Sequence, residues 1–403
     1  MAVLGKRTPP RLGITIGRRH PEPQVDSFPK RPRTETNPLF NANRLKLGVF
    51  GINGPGTVMT THPDRFMPTW DASLRVAQII DRAGLEAIVP YSRWKPFGPA
   101  GHATGYTLDT FAWAAALSAS TRYSSIFATV HAHAVHPLVA AKQGATIDHI
   151  SGGRFAMNFV VGFYTPEIDT FGSPAGSHDD RYAMGEEWIT AVERLWTEAG
   201  EVDVDGQHVK VRGGVSTPKP LQSPRPPIMN AGSSERGRRL AAGHADLAFI
   251  VAHNPDPKVL TEQVRSYKQY ARDAFGREIQ VWGYALVVLA DSKAAAEARL
   301  RAYTVDHADN GGIDVFVEAQ VKNAGSMPPE AVAGLRAAVA TGGGLPLMGP
   351  PEAVADGLAT LSDCGFDGIL LTFVDYVAES EAFVTQVLPI LEARGLRAPF
   401  VPA

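Results

Sequence analysis

Cysteine is nearly absent from this chain of 403 residues, in which Cys364 is the only one. A single cysteine excludes an internal disulfide and a cysteine-based metal cluster, and it favours a reducing, cytoplasmic location. The sequence also lacks any apolar run of about 18 residues, so we expect no membrane span. Its formal charge is only −2, which gives no whole-chain reason to expect nucleic acid or an anionic membrane as a partner. These absences leave an ordinary globular protein.

The first 44 residues differ in composition from the rest of the chain. They contain nine lysines and arginines against three acidic residues, together with seven prolines. The apolar stretch Leu12–Ile16 is too short for the core of a secretory signal. A basic arm that grips nucleic acid is one interpretation, but a disordered or partner-draping extension fits this composition better. We therefore predict an N-terminal extension at residues 1–44 and a folded domain at residues 45–403.

Short β-branched runs alternate with longer helical patterns throughout that domain, which is typical of βα units around a parallel sheet. The predicted strands are Leu45–Ile52, Glu86–Tyr91, Tyr123–Val130, Arg154–Val161, Pro227–Ala231, Ala245–Val251, Gln280–Leu289 and Asp367–Val374. Eight strands without a Gly-x-Gly-x-x-Gly turn after the first favour a closed (β/α)8 TIM barrel over an open sheet. Two insertions interrupt it: a hairpin at Glu201–Arg212, and a partly helical excursion at Asn310–Pro346.

In such a barrel the functional side chains lie at the carboxyl ends of the strands. Thr129 and His131 close the third strand, and His133 follows, so the three side chains should point the same way. His131 is therefore a candidate acid or base. A metal pair at His131 and His133, completed by His253 and Asp375, is the alternative, and an ordinary buried histidine is the simplest interpretation.

Two further features indicate a site for a ring and a phosphate. Asn158 is a carboxamide within the apolar fourth strand, where it must be paired or serve a ligand. Ser233 and Ser234 begin a helix directly after the fifth strand, where unpaired N–H groups bind anions, although a simple serine cap is equally consistent. Arg181 and Tyr182, at the start of the preceding helix, are placed to reach the same anion.

At this point the chain resembles the bacterial-luciferase-like, two-component flavin monooxygenases. It is most similar to the branch that holds the pyrimidine and dimethylsulfone monooxygenases. The most specific stretch is Thr146–Phe155, followed by Asn158, Gly162, Pro166 and Glu167. Supporting motifs are Met67-Pro68-Thr69, Ala231–Ser234 and Leu370–Asp375. Together they run in order from Leu45 to Arg397.

The resemblance implies a monooxygenase that uses reduced FMN and O2, through a flavin peroxide, with the reduced flavin supplied by a separate NAD(P)H-dependent reductase. The residues that it implies as FMN contacts are Ser92, Arg93, Asn158, Glu167, Arg181, Tyr182 and Ser234. It also implies that Thr129 and Asn158 hold O2 against the flavin. We expect a homodimer or homotetramer.

The chain departs from the family pattern around the expected substrate. The pyrimidine enzymes have lysine at the position of Arg93, the loop at Trp94 differs, and His131 and His133 replace small or apolar residues. Together with His253, these residues predict a pocket for a planar or heteroatom-rich small molecule other than uracil, oxygenated on a ring or at a C–N or C–S bond. The alternatives are a metal-dependent barrel hydrolase, a deazaflavin-dependent hydride-transfer enzyme and a non-catalytic flavin-binding protein.

Overall fold

A computed structural model describes residues 29–172, 176–252, 254–324 and 327–401. Its strands are β1 (Arg31–Pro32), β2 (Lys46–Phe50), β3 (Ala87–Val89), β4 (Ser125–His131), β5 (Phe155–Val160), β6 (Val202–Asp205), β7 (Lys210–Gly214), β8 (Gln222–Ser223), β9 (Ile228–Asn230), β10 (Leu247–Phe249), β11 (Gln280–Leu289), β12 (Leu345–Gly349) and β13 (Gly368–Thr372). Its helices are α1 (Arg33–Thr36), α2 (Trp70–Arg82), α3 (Thr110–Ser120), α4 (Pro137–Ser151), α5 (Thr165–Ile168), α6 (His178–Thr197), α7 (Glu235–His244), α8 (Pro257–Phe275), α9 (Lys293–Arg301), α10 (Asn310–Ala324), α11 (Pro329–Ala340), α12 (Pro351–Asp363), α13 (Tyr376–Gln386) and α14 (Leu388–Ala393). None of the described helices is long and apolar enough to cross a membrane.

Eight parallel strands close into the predicted (β/α)8 barrel. Their order around the barrel is β2, β3, β4, β5, β9, β10, β11 and β13, and pairing of β13 with β2 completes the ring. Seven of the eight lie within the segments that the sequence predicted, and β4 extends one residue beyond its predicted end, to His131. The barrel is tight where its first two strands meet, because a Cβ on Gly48 would lie 2.4 Å from the Ala87 carbonyl oxygen. Only glycine fits this approach.

Alternation along the strands divides the core into two layers. On β4 the side chains of Ile126, Ala128 and Val130 pack outward against the helices, whereas Phe127 belongs to the cluster inside the barrel. Thr129 and His131 follow Phe127 at two-residue steps, so they project inward toward the carboxyl end. Strand geometry thus brings the predicted polar groups to the barrel mouth.

The two predicted insertions are present, with one unexpected strand. β6 and β7 form the antiparallel hairpin. The later excursion contains α10 and α11, as expected, but it ends in β12, which pairs with β11 outside the closed ring. The pairing is possible because β11 is long enough to pair with both β13 and β12. The strand was not predicted because the short run at Leu345–Gly349 contains Pro346, and proline argues against a strand when only the sequence is known.

Residues 29–44, the last part of the predicted extension, pack against the amino-terminal end of the barrel. Leu39 is fully buried among the side chains inside the barrel. Arg33 forms an ion pair with Asp246 at 2.9 Å, and the Asn37 amide bonds to Gln222 at 3.1 Å. This segment therefore closes the barrel floor. The predictions for residues 1–28 lie outside the described residues.

Candidate active site

A cavity of about 480 Å³ opens at the carboxyl ends of the barrel strands. Its floor is formed by Phe50 at the end of β2, Tyr91 just after β3 and Tyr284 midway along β11. The loops after β2, β3 and β9 and the insertion that holds α10 and α11 form its sides. Those sides include Met59, Thr60, Arg65, Arg93, Phe97, Thr104, Ser233, Asp309, Phe316, Gln320, Leu335 and Gly342. Such a mouth is where this fold places its chemistry.

Thr129 and Asn158 face each other in the barrel interior. They are register partners on β4 and β5, and Asn158 Nδ2 donates to Thr129 Oγ1 at 3.0 Å. The Thr129 hydroxyl donates in turn to the Pro90 carbonyl oxygen. Asn158 Oδ1 is buried with no hydrogen-bond partner among the described residues. A buried amide oxygen without a donor costs about 1–3 kcal/mol, so this atom is a good candidate to accept an N–H from a ligand.

His131 and His133 lie side by side, as the two-residue spacing predicted, with ring centroids 5.1 Å apart. Burial, reinforced by the neighbouring charges of His133 and Arg93, lowers the pKa of His131 well below its ordinary value. Burial likewise lowers the pKa of His133 to about 4. Both rings are therefore neutral at neutral pH, so neither acts as a fixed cation, and the lowered pKa makes His131 a weaker base than a free imidazole.

Glu167 holds the loop after β3 in place. Its buried carboxylate accepts from the backbone N–H of Trp94 at 2.7 Å and of Lys95 at 3.1 Å, and the Arg93 guanidinium lies 3.4 Å from it. His131 Nε2 is 3.8 Å from the same carboxylate. Glu167, implied as a flavin contact, thus has its oxygens directed at protein groups in this structure.

The loop residues around Arg93 point in different directions. Arg93 lines the cavity and stacks over the Phe97 ring at 4.1 Å. Ser92, beside it, is half-buried. Trp94 is 51% exposed and meets the Phe171 ring edge-on at 5.5 Å, away from the cavity lining.

The predicted anion site lies at the start of α7, where Tyr182 of α6 comes close. Ser234 caps α7 by accepting from Gly237 N at 3.0 Å. A Cβ on Gly237 would lie 2.7 Å from Gly232 and 2.8 Å from the Tyr182 hydroxyl, so these three groups approach one another closely. Arg181 Nε is buried without a partner among the described residues. A capped helix start with a phenol nearby suits a phosphate, whereas the Arg181 guanidinium donates to the Gly176 carbonyl oxygen.

A second cavity, of about 650 Å³, lies outside the barrel between α6 and the hairpin. His133 and Arg181 line it, together with His136, His208 and Lys210. The structure thus places His133 and Arg93 in the linings of different cavities, although the sequence analysis grouped them in one substrate pocket.

The metal alternative has no support in the part of the chain that the structure describes. No group of three or more histidines, cysteines or acidic residues is gathered there in a way that would hold an ion. Asp375 instead caps α13 by accepting from the N–H groups of Val377 and Ala378. His253 lies outside the described residues.

Sequence reasoning missed several residues of the cavity. Arg65, Thr104, Asp309 and Gln320 come from loops and from the insertion, where no local pattern marks a functional side chain. Tyr284 had a usable signal, because it is a hydroxyl within an apolar strand and on the same face as Trp282, which points into the barrel.

The family model for luciferase-like monooxygenases matches residues 45–368. The chain is 27% identical to the pyrimidine monooxygenase RutA of Acinetobacter baylyi, over 87% of this chain and 95% of that protein. It is 31% identical to an FMNH2-dependent dimethylsulfone monooxygenase of Pseudomonas putida, over 80% of this chain and 89% of that protein. Among solved structures, a riboflavin lyase with modified FMN and its substrate riboflavin superposes with a TM-score of 0.74 at 26% identity, covering 89% of this chain and 94% of that one.

Proposed function

The chain belongs to the luciferase-like monooxygenase family, and from that premise we propose that it uses reduced FMN and O2 to oxygenate a small organic molecule. The substrate is planar or rich in heteroatoms and is oxygenated on a ring or at a C–N or C–S bond. A separate NAD(P)H-dependent reductase supplies the reduced flavin, since the chain lacks a dinucleotide fingerprint of its own. The enzyme works in the cytoplasm as a homodimer or homotetramer.

The unpaired oxygen of Asn158 carries this proposal. The free protein keeps a buried acceptor beside a threonine hydroxyl in the barrel interior, and the cavity at the mouth, which neither residue lines, has aromatic walls. The isoalloxazine ring of FMN has an N–H that would satisfy this acceptor and a flat surface that suits such walls. The capped helix start at Ser234, with Arg181 and Tyr182, supplies the donors that its phosphate needs.

Bound reduced FMN would supply the electrons that activate O2. The protein's own part is to orient the flavin and the substrate and to exclude water. Asn158 and Thr129 form a fixed pair of polar groups beside the expected ring, and Arg93 adds a cation held over Phe97. His131 adds a neutral imidazole whose buried Nδ1 has no hydrogen-bond partner among the described residues.

Titration with FMN and reduced FMN tests the proposal. We expect the protein to bind reduced FMN more tightly than oxidised FMN, and not to oxidise NADH or NADPH by itself. Oxygen consumption should require an added flavin reductase. A control variant, Thr61→Val, alters an exposed hydroxyl near the cavity that bonds only to the His307 carbonyl, so it should bind FMN as the wild type does. Rapid NAD(P)H oxidation without a reductase, or no flavin binding at all, would contradict the proposal.

A further inference from the structure

Three side chains linked by hydrogen bonds lie at the rim of the mouth cavity, and none of them takes part in the proposed flavin chemistry. His102 Nε2 is 3.0 Å from Asp309 Oδ2, and His102 Nδ1 is 2.9 Å from the hydroxyl oxygen of Thr104. Asp309 is itself fixed, because its Oδ1 accepts from Gly312 N at 3.1 Å. The order carboxylate, imidazole, hydroxyl is the arrangement in which a hydroxyl can pass a proton to a histidine that a carboxylate supports.

The surrounding bonds assign the tautomer of His102. Its Nδ1 faces two donors, the Thr104 hydroxyl and, at 3.3 Å, the Thr104 backbone N–H. Nδ1 is therefore the acceptor, and the ring hydrogen lies on Nε2, toward Asp309. In this form His102 is ready to accept a proton at Nδ1, and the carboxylate would stabilise the imidazolium that results.

Two glycines make room for this arrangement. A Cβ on Gly98 would lie 2.7 Å from the His102 ring, and a Cβ on Gly312 would lie 2.9 Å from Asp309 Oδ2. The ring therefore sits against the backbone of its own loop on one side and against the start of α10 on the other. The geometry depends on two segments that are distant in sequence.

The chain of bonds ends in the cavity. Thr104 and Asp309 both line it, whereas His102 does not appear in the lining. The Thr104 oxygen also accepts from Phe97 N at 2.8 Å, which fixes its position. Phe97 and Phe316 stand beside it with ring centroids 5.0 Å apart. A polar hydroxyl thus lies next to an aromatic wall.

We propose that Asp309, His102 and Thr104 form a proton relay that acts on a substrate O–H or N–H, and that the substrate is an aromatic or heteroaromatic molecule bearing such a group. The substrate proton passes to the Thr104 oxygen while the hydroxyl proton of Thr104 passes to His102 Nδ1. The products are the substrate anion and an imidazolium paired with Asp309. The proton later returns to the product or to water. The proposal deepens the proposed function and, in naming a substrate of the oxygenase, rests on it.

Para-nitrophenol is a suitable probe, because its ionised form absorbs in the visible range and its binding requires neither flavin nor O2. Para-nitroanisole has the same ring without the proton. We expect the full-length protein to bind para-nitrophenol in its ionised form at a pH below the probe's own pKa. Thr104→Val and His102→Gln should abolish this ionisation and weaken para-nitrophenol binding about tenfold, with para-nitroanisole unaffected. Thr104→Ser, which keeps the hydroxyl, should restore both properties.

Thr61→Val serves as the control, because its exposed hydroxyl bonds only to a backbone carbonyl and should leave both probes unchanged. Equal loss of both probes in Thr104→Val, or ionisation that survives in Thr104→Val and His102→Gln, would overturn the relay. So would the absence of para-nitrophenol binding to the wild type, with and without FMN. FMN titration of the same variants reports on the cofactor alone, so failure of the relay and failure of the proposed function give different results.

Discussion

Replacing Asn158 with leucine separates a ligand-binding role from a structural one. In the free protein the side chain makes one hydrogen bond, from Nδ2 to the Thr129 hydroxyl, and it leaves Oδ1 buried without a partner. Loss of the bond costs about 1 kcal/mol, while removal of the unpaired oxygen returns about 1–3 kcal/mol. The free energy of unfolding of the flavin-free protein should therefore stay unchanged or rise by about 2 kcal/mol.

Flavin binding should respond in the opposite direction. If Oδ1 accepts the ring N–H, its loss leaves that N–H buried and unpaired, at about 1–3 kcal/mol. This corresponds to an affinity for reduced FMN that is lower by about 5- to 150-fold. Anaerobic fluorescence titration measures the affinity, and urea denaturation without flavin measures the stability.

Thr129→Val is the matched comparison. It leaves two buried groups, Asn158 Nδ2 and the Pro90 carbonyl oxygen, without their partner. The flavin-free protein should lose about 2–6 kcal/mol of stability, while flavin affinity falls less than in Asn158→Leu. If Asn158→Leu instead loses several kcal/mol of stability and keeps its flavin affinity, then Oδ1 has no ligand and the fit to FMN at this position is refuted.

Three further predictions follow from the structure. Leu39→Ala should lower the free energy of unfolding by about 2–5 kcal/mol in urea, because Leu39 fills the barrel floor; an unchanged midpoint would mean that the floor closes without it. Gly237→Ala should weaken FMN binding at least about tenfold, because its Cβ would meet the Tyr182 hydroxyl at the anion site; unchanged affinity would place the phosphate elsewhere. Burial raises the pKa of Glu379 from its ordinary 4.5 to about 7. Between these two pH values the folded state holds a proton that the unfolded state has lost, so the free energy of unfolding should fall as the pH rises through this range. Denaturation at several pH values should show a shallower fall for Glu379→Gln, and an identical slope would contradict the shifted pKa.

The sequence alone predicted the barrel well because each strand is a short apolar run between turn residues. β12 was missed, since Pro346 and the glycines before it weaken the pattern and only the overlong partner β11 makes the pairing possible. The barrel floor was missed for a related reason. Composition marked the residues before Leu45 as an extension, and nothing local reveals that Arg33 meets Asp246 or that Leu39 fits the barrel interior.

In the candidate site, too, residues on strands were predictable from the sequence and residues in loops were not. Asn158 and Thr129 could be singled out because polar side chains in apolar strands are anomalies that a sequence shows directly, and their role toward the flavin stays a prediction. The direction of Trp94 was not predictable, because adjacent loop residues have no fixed periodicity and Glu167, distant in the chain, orders this loop through its backbone N–H groups. Asp309 and His102 were missed because each lies in a loop, and their relationship exists only after folding.

The groups proposed for the flavin and the groups proposed for the substrate come from different parts of the fold. The groups that suit the flavin belong to barrel strands and to the first turns of helices, where neighbouring backbone holds them rigidly. The aromatic and polar groups on the opposite side, Phe316, Gln320 and Asp309, come from α10 and the residue before it. Several contacts join that segment to the barrel loops, among them the bonds from Asp309 N to the Met59 carbonyl and from Thr61 N to the His307 carbonyl, and the pairing of His102 with Asp309. Because α10 belongs to the insertion and the Thr129–Asn158 pair belongs to β4 and β5, we expect substitutions in α10 to alter the substrate side of the cavity more than they alter that pair.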